Sequence, residues 1–352
     1  MKLVMIGHGM VGHKFIEAIL EKADDKLEIT ILAEEPRIAY DRVHLTEYFS
    51  GKSAKDLSLA RFDFADAHGI DLRLNTKAIA IDTAAQTVTT SLGDVLHYDK
   101  LVLATGSYAF VPPIVGNDRE NCFVYRTIED LDAIRAASLN AKSGVVIGGG
   151  LLGLEAAKAL RDLNLDTHVV EFAPRLMAVQ IDDLGGKVLR RKIENLGVKV
   201  HTQKATSSIE AGNDATHVMK FADGSELETD IILFSAGIRP RDELARSSGL
   251  ALGERGGIKI NDYCQTSDEN IYAIGECALW DNKIYGLVAP GYDMARIAAK
   301  HILAEETHCF AGADMSTKLK LMGVDVASVG DAHGMTPNSL SYFYADEDAL
   351  VY

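Results

Sequence analysis

The chain has 352 residues, 47% hydrophobic and 25% charged, a globular composition too long for one core, so two or three domains are expected. Its formal net charge of −15 argues against nucleic acid or an anionic membrane as the main partner. Cys122, Cys264, Cys277 and Cys309 are scattered without a C-x-x-C pair, which excludes a disulfide framework and any recognisable zinc or iron–sulfur site, so no metal is expected in this chain.

The first stretch, Lys2–Gly12 (KLVMIGHGMVG), predicts a buried strand from Leu3 to Ile6 followed by Gly7, Gly9 and Gly12 at the spacing G-x-G-x-x-G. A helix over Met10–Leu20 follows, with Phe15, Ile16, Ile19 and Leu20 on its apolar face. In such a motif the first glycine permits the tight turn, the second lets a pyrophosphate approach the backbone, and the third lets the helix pack close to the strand. The apolar run is short, follows a single lysine and flows directly into the glycine turn, so no signal peptide is expected. The longest apolar stretch, Gly144–Leu154, is too short and glycine-rich to span a bilayer, and a cytoplasmic protein is expected.

A second strand over Leu27–Ala33 runs into Glu34 and Glu35, close to the spacing at which a carboxylate accepts from a ribose diol. Pro36–Phe49 (PRIAYDRVHLTEYF) has poor periodicity and suits a loop and short helix over a ligand. Arg42 there is either a contact to a flavin or phosphate or an ordinary surface arginine. Short strands are predicted at Ile70–Leu74, Ala78–Ile81 and Thr87–Thr90, and a buried one at Leu101–Ala104 running into Thr105-Gly106. Pro112-Pro113 marks a hinge between domains. Thr127–Leu139 predicts a helix capped by Thr127, with Asp130 at its third position.

The glycine pattern then returns. Val145–Ile147 leads into Gly148–Gly153 (GGGLLG), a helix over Leu151–Leu163, and a strand Thr167–Val170 that ends at Glu171. Two such fingerprints in one chain predict two dinucleotide sites. Asp182–Leu196 predicts another helix, and Val198–His201, Ala205–Glu210, His217–Phe221 and Asp230–Phe234 predict strands. Ala236-Gly237 echoes Thr105-Gly106. Strands at Ile258–Ile260 and Ile271–Ile274 and a helix at Gly291–Leu303 complete this part. From Ser316 a third unit of antiparallel strands begins, including Leu340–Tyr344, and it has too few strands to close a sheet, so a longer protein is expected.

The two fingerprints, the Ala104-Thr105-Gly106 turn and the Thr266–Glu276 stretch TSDENIYAIGE resemble the flavin-dependent pyridine nucleotide–disulfide oxidoreductase superfamily over essentially the whole chain. The resemblance implies an α/β protein with two Rossmann-like three-layer dinucleotide-binding domains and an incomplete C-terminal α+β unit. It implies a discontinuous FAD domain (1–112 and 246–312), an NADH domain (113–245) and the start of an interface domain (313–352). FAD contacts are implied from Gly7, His8, Gly9, Met10, Val11, Gly12, Glu34, Glu35, Arg42, Ala78, Thr105, Gly106, Arg126, Gly275, Glu276 and Val288. NADH contacts are implied from Gly148, Gly149, Gly150, Leu151, Leu152, Gly153, Glu155, Glu171 and Gly237, with Glu155 positioning the nicotinamide. The superfamily usually has Asp where Glu276 stands; the longer acid still accepts from ribityl hydroxyls.

Within the superfamily, GHGMVGHKFIE, EEPRIAYDRVHLTEYFSGK, IYAIGECALW and STKLKLMGVDVASVGD look like the NADH-dependent nitrite reductase branch. That branch implies electron input from NADH through FAD to iron–sulfur and sirohaem centres in a part absent from this chain, with a small nitrite reductase subunit as a further partner. The alternatives are a stand-alone NADH:ferredoxin or rubredoxin reductase delivering to a small redox protein, and a non-enzymatic nucleotide sensor that keeps the fold. Disulfide reductases of the superfamily place redox cysteines in the region corresponding to Tyr40–Lys52, where this chain has none, so electrons are expected to leave straight from FAD. Glu171 would accept from both ribose hydroxyls and repel a 2′-phosphate, favouring NADH, with Arg175 facing solvent. His8, His13 and His44 are read as packing or surface residues, because a hydride transfer needs no general base.

Overall fold

A computed structural model describes residues 1–22, 27–321, 323–330, 333, 337, 340, 342, 344, 346 and 351. The chain divides into two compact units, one of 1–43, 54–108 and 238–313, the other of 44–53, 109–237 and 314–352.

The first unit is built on a five-stranded parallel sheet ordered Ile271–Ala273, Lys100–Leu103, Lys2–Ile6, Glu28–Leu32, Asp71–Arg73. From Leu3 to Ile6 its central strand is an unbroken apolar run because both its faces are covered: Leu3 and Met5 on one face and Val4 and Ile6 on the other are buried, as are Phe15, Ile16 and Ile19 of the helix Met10–Leu20. That helix packs against the helix Val288–Ile302, where Gly291 leaves room for Val11. An antiparallel trio, Ala78–Asp82, Thr87–Thr90 and Val95–His97, adds Ile81 and Val88 to the same core.

The second unit repeats the plan with a parallel sheet ordered Lys199–Thr202, Asp166–Glu171, Ser143–Ile147, Ile231–Phe234, Cys122–Val124. A second antiparallel trio, Thr206–Ala211, His217–Phe221 and Glu226–Thr229, packs Ile209, Met219 and Phe221 against Val145, Val170, Ile232 and Phe234. The helix Ile128–Ser138 starts in a capping box: Thr127 accepts from the Asp130 N–H and Asp130 accepts from the Thr127 N–H.

Several expectations shift. The last helix of the first unit starts at Val288 rather than Gly291, because Pro290 sits in the first turn, where a missing N–H costs nothing. Strands Val95–His97 and Glu226–Thr229 escaped the hydrophobic pattern, being short and mostly half-exposed or exposed. The compact division groups residues 44–53 and 314–352 with the second unit, whereas the sequence reading attached the former to the first domain and set the latter apart. In that region Thr317–Leu321 pairs antiparallel with Val324–Ser328. Of the predicted strand at 340–344, Leu340, Tyr342 and Tyr344 lie in no strand, and Ser341 and Phe343 fall outside the described residues.

Candidate functional site

Each parallel sheet ends in a glycine turn at the C-terminal edge of its central strand, and the glycines divide into two kinds. Gly7 has a φ of +101°, and a Cβ there would lie 2.3 Å from the Ala104 carbonyl oxygen; a Cβ on Gly12 would lie 2.6 Å from the Gly7 oxygen. In the second unit Gly148 has a φ of +120° with a Cβ position 2.2 Å from the Ser235 oxygen, and Gly153 meets the Gly148 oxygen at 1.9 Å. Protein backbone alone demands these four. Gly9 and Gly150 differ: a Cβ at either meets nothing among the described residues within 4 Å. Both are extended N-caps, with no side-chain cap and no acidic residue in the first helical turn. Free helix N–H groups thus face open space over two glycines, a cradle of the kind that fits a diphosphate.

In the first unit the acids beside this cradle are already organised. Glu34 pairs with Arg241 at 2.7 Å and Lys77 at 3.3 Å. Partial burial works against its charge, but the two cations overcome this and hold the Glu34 carboxyl below the usual carboxylate range. Glu35 accepts from the Tyr40 hydroxyl at 2.8 Å and from Arg42, whose guanidinium lies 4.6 Å from the Tyr40 ring centre. The Arg42 N–H also points at the Met10 sulfur, at 3.3 Å. Opposite, Ser107 Oγ donates to Glu276 at 2.7 Å, in the short turn Gly275–Cys277. Thr105 Oγ1 donates to the Arg241 carbonyl at 2.7 Å, and the Arg241 N–H returns to the Gly106 carbonyl at 2.9 Å. Val11 packs beneath Gly275, and Val288 is half-buried at its helix start. Ala78 is buried, with 3% of its surface exposed.

His8 and His13 are buried, as expected of packing residues, and His44 is exposed. Neither ring nitrogen of His8 has a hydrogen-bond partner among the described residues, and burial, reinforced by His13, holds its pKa down at about 4.

In the second unit Glu171, the last residue of its strand, accepts from the Gly149 N–H at 2.5 Å and the Ala173 N–H at 2.6 Å. Arg175 corrects the sequence reading: it is not a solvent-facing cation but is tied down, with Nε donating to the Ile181 carbonyl at 3.0 Å and its guanidinium paired to Asp183 at 2.5 Å. Lys204 is held by Asp223 and Ser225. Leu151 and Leu152 open the helix, and Gly237, at a φ of +108°, accepts from the Phe110 N–H. Glu155 lies half-buried one turn into the helix, and burial pushes its carboxyl up to about 7, with His44 only partly opposing. Near neutral pH such a carboxyl both donates and accepts, which suits an amide partner. Arg126 falls in this second unit, where its N–H bonds Asp130.

Sequence reasoning missed Arg241 and Lys77 on Glu34, Tyr40 on Glu35 and Ser107 on Glu276. The only signal for Arg241 was its position four residues after Gly237.

A sequence model of the pyridine nucleotide-disulphide oxidoreductases matches residues 1–301. The chain is 57% identical over 353 residues to the nitrite reductase (NADH) large subunit of Escherichia coli strain K12, covering 100% of this chain and 42% of that protein. It is 58% identical over 351 residues to the nitrite reductase NAD(P)H large subunit of Klebsiella oxytoca, covering 99% and 36%. A solved structure of an NAD-dependent persulfide reductase from A. fulgidus matches with a TM-score of 0.88 at 29% identity, covering 94% of this chain and 64% of that one. The chain spans less than half the length of the two curated relatives.

Proposed function

The chain belongs to the pyridine nucleotide-disulphide oxidoreductase family, and from that premise we propose that it is an NADH-dependent flavoprotein module that takes electrons from NADH. The first cradle holds FAD: helix N–H groups at Gly9–Gly12 receive the diphosphate, Glu34 and Glu35 the adenosine side, and Arg42, Thr105, Gly106 and Glu276 the flavin side. Ala78 and Val288 are the remaining proposed contacts. Bound FAD supplies a hydride acceptor that returns electrons singly. The second cradle holds NADH through Gly148–Gly153 and Gly237, with Glu155 orienting the carboxamide of the nicotinamide. What the chain contributes is alignment and exclusion of water, not acid–base catalysis.

The observation that carries this reading is the pair of open glycine N-caps in one polypeptide. NADH is preferred over NADPH because the Glu171 carboxylate repels a 2′-phosphate, while Arg175 and Lys204 are committed to Asp183 and Asp223. In the longer protein the electrons pass to iron–sulfur and sirohaem centres that reduce nitrite to ammonia, with a small nitrite reductase subunit as a further partner. No helix among the described residues is long and apolar enough to cross a membrane.

Anaerobic stopped-flow mixing of the FAD-loaded protein with NADH tests the proposal. Flavin absorbance near about 450 nm is expected to bleach within the turnover time. A protein that takes up FAD but never bleaches is a sensor or an interaction module, and one that refuses FAD has neither role.

A further inference from the structure

The two cradles are built on one register but exchange a pair of residues. Gly7 N–H donates to the Leu32 carbonyl as Gly148 N–H does to that of Val170, and Ile6 pairs with Leu32 as Ile147 does with Val170. Ala33 is therefore the counterpart of Glu171, and His8 the counterpart of Gly149. The first cradle has a large residue in the turn and a small one after the strand; the second has the reverse. A Cβ on Gly149 would lie 2.6 Å from Leu176 Cδ2 and 3.0 Å from Glu171 Oε2, so the acid occupies the place that a side chain at 149 would take.

From that place Glu171 uses one oxygen on the Gly149 N–H at 2.5 Å and the other on the Ala173 N–H at 2.6 Å. The Met177 N–H closes back on the Gly149 carbonyl at 2.9 Å, and Gln203 donates to the Ala173 carbonyl at 3.1 Å. Bonds to an ionised acceptor are the stronger kind, and a loop fixed in advance binds without the cost of ordering it.

We propose that Glu171 is a positioning residue, a latch that holds the turn Gly148–Gly153 and the loop Phe172–Met177 in their binding shape before nucleotide arrives. Its effect on nucleotide affinity then runs chiefly through the loop rather than through the ribose hydroxyls. The inference rests on the assignment of the second cradle to NADH.

The test uses the FAD-loaded protein as wild type, Glu171→Ala and Glu171→Gln, the amide of Gln retaining one acceptor. Without nucleotide, hydrogen exchange of a peptide covering Gly148–Gly153 is expected to speed up by about tenfold in Glu171→Ala and by less in Glu171→Gln, the scale of one lost charge-assisted bond. Calorimetric titration is expected to show NAD⁺ and 2′-deoxy-NAD⁺ losing affinity for Glu171→Ala by the same factor, about tenfold. Unchanged exchange, or a penalty that vanishes when the 2′-hydroxyl is absent, overturns the latch and leaves Glu171 as a reader of ribose. If wild type binds neither nucleotide, the NADH assignment fails, and the exchange measurement still decides the latch. Should Glu171→Ala not fold, Glu171→Gln carries both comparisons.

Discussion

His8 keeps an imidazole without a hydrogen-bond partner among the described residues inside the first unit, with its pKa held at about 4 against an ordinary value of 6.5. Between those values the unfolded chain binds more protons than the folded one, so stability falls as pH drops through this window. The loss approaches about 3 kcal/mol at pH 4, and His8→Leu is expected to remove it, as urea denaturation at pH 7 and pH 4 will show. Glu155 acts in the opposite direction. Its carboxyl, raised from 4.5 to about 7 by burial, binds protons more tightly when folded, so stability is lost as pH rises from 4.5 through 7. Glu155→Gln is expected to gain about 3 kcal/mol at pH 8 and to flatten the pH dependence of NADH-driven flavin reduction near 7, which stopped-flow rates across pH will measure.

Helix and turn together decide what each glycine tolerates. At Gly9 and Gly150 the backbone is extended and the space open, so alanine is accommodated by the fold and only a ligand meets the methyl group. Gly9→Ala and Gly150→Ala are expected to change stability by no more than about 0.5 kcal/mol. Binding of FAD and of ADP-ribose, respectively, falls by about tenfold or more, as titration calorimetry will show. At Gly7 and Gly148 a positive φ combines with a carbonyl oxygen within 2.3 Å of the Cβ position. There alanine is expected to cost more than about 3 kcal/mol and to lower the melting temperature before any ligand is added. One fingerprint thus contains positions that report on folding and positions that report on binding.

For the molecule as a whole, the proposed route for electrons contains no thiol. Cys264 and Cys277 are buried, and Cys122 is half-buried with its thiol pushed up to about 11 by burial. Cys309 is exposed. Alkylation by N-ethylmaleimide is expected to label Cys309 first and to leave NADH:ferricyanide activity within about twofold of the untreated enzyme. Mass spectrometry beside the assay checks both halves of that outcome. A steep loss of activity on labelling would mean that a cysteine carries electrons after all.

The amino-acid sequence by itself determined the features that depend on near neighbours in the chain. The two glycine spacings, the continuous apolar strands that precede them, the helix Met10–Leu20 and the Thr127–Asp130 capping box are all set within a few residues. What only the tertiary structure decided are relations between segments distant along the chain. Arg241 reaches Glu34 across 207 positions, and Ser107 reaches Glu276 across 169. The cause is strand register. A parallel sheet aligns residues by hydrogen bonding to a neighbour far away in sequence, so two fingerprints of identical spacing place their acids one residue apart. In one cradle the position after the aligned strand residue is Ala33, and in the other it is Glu171.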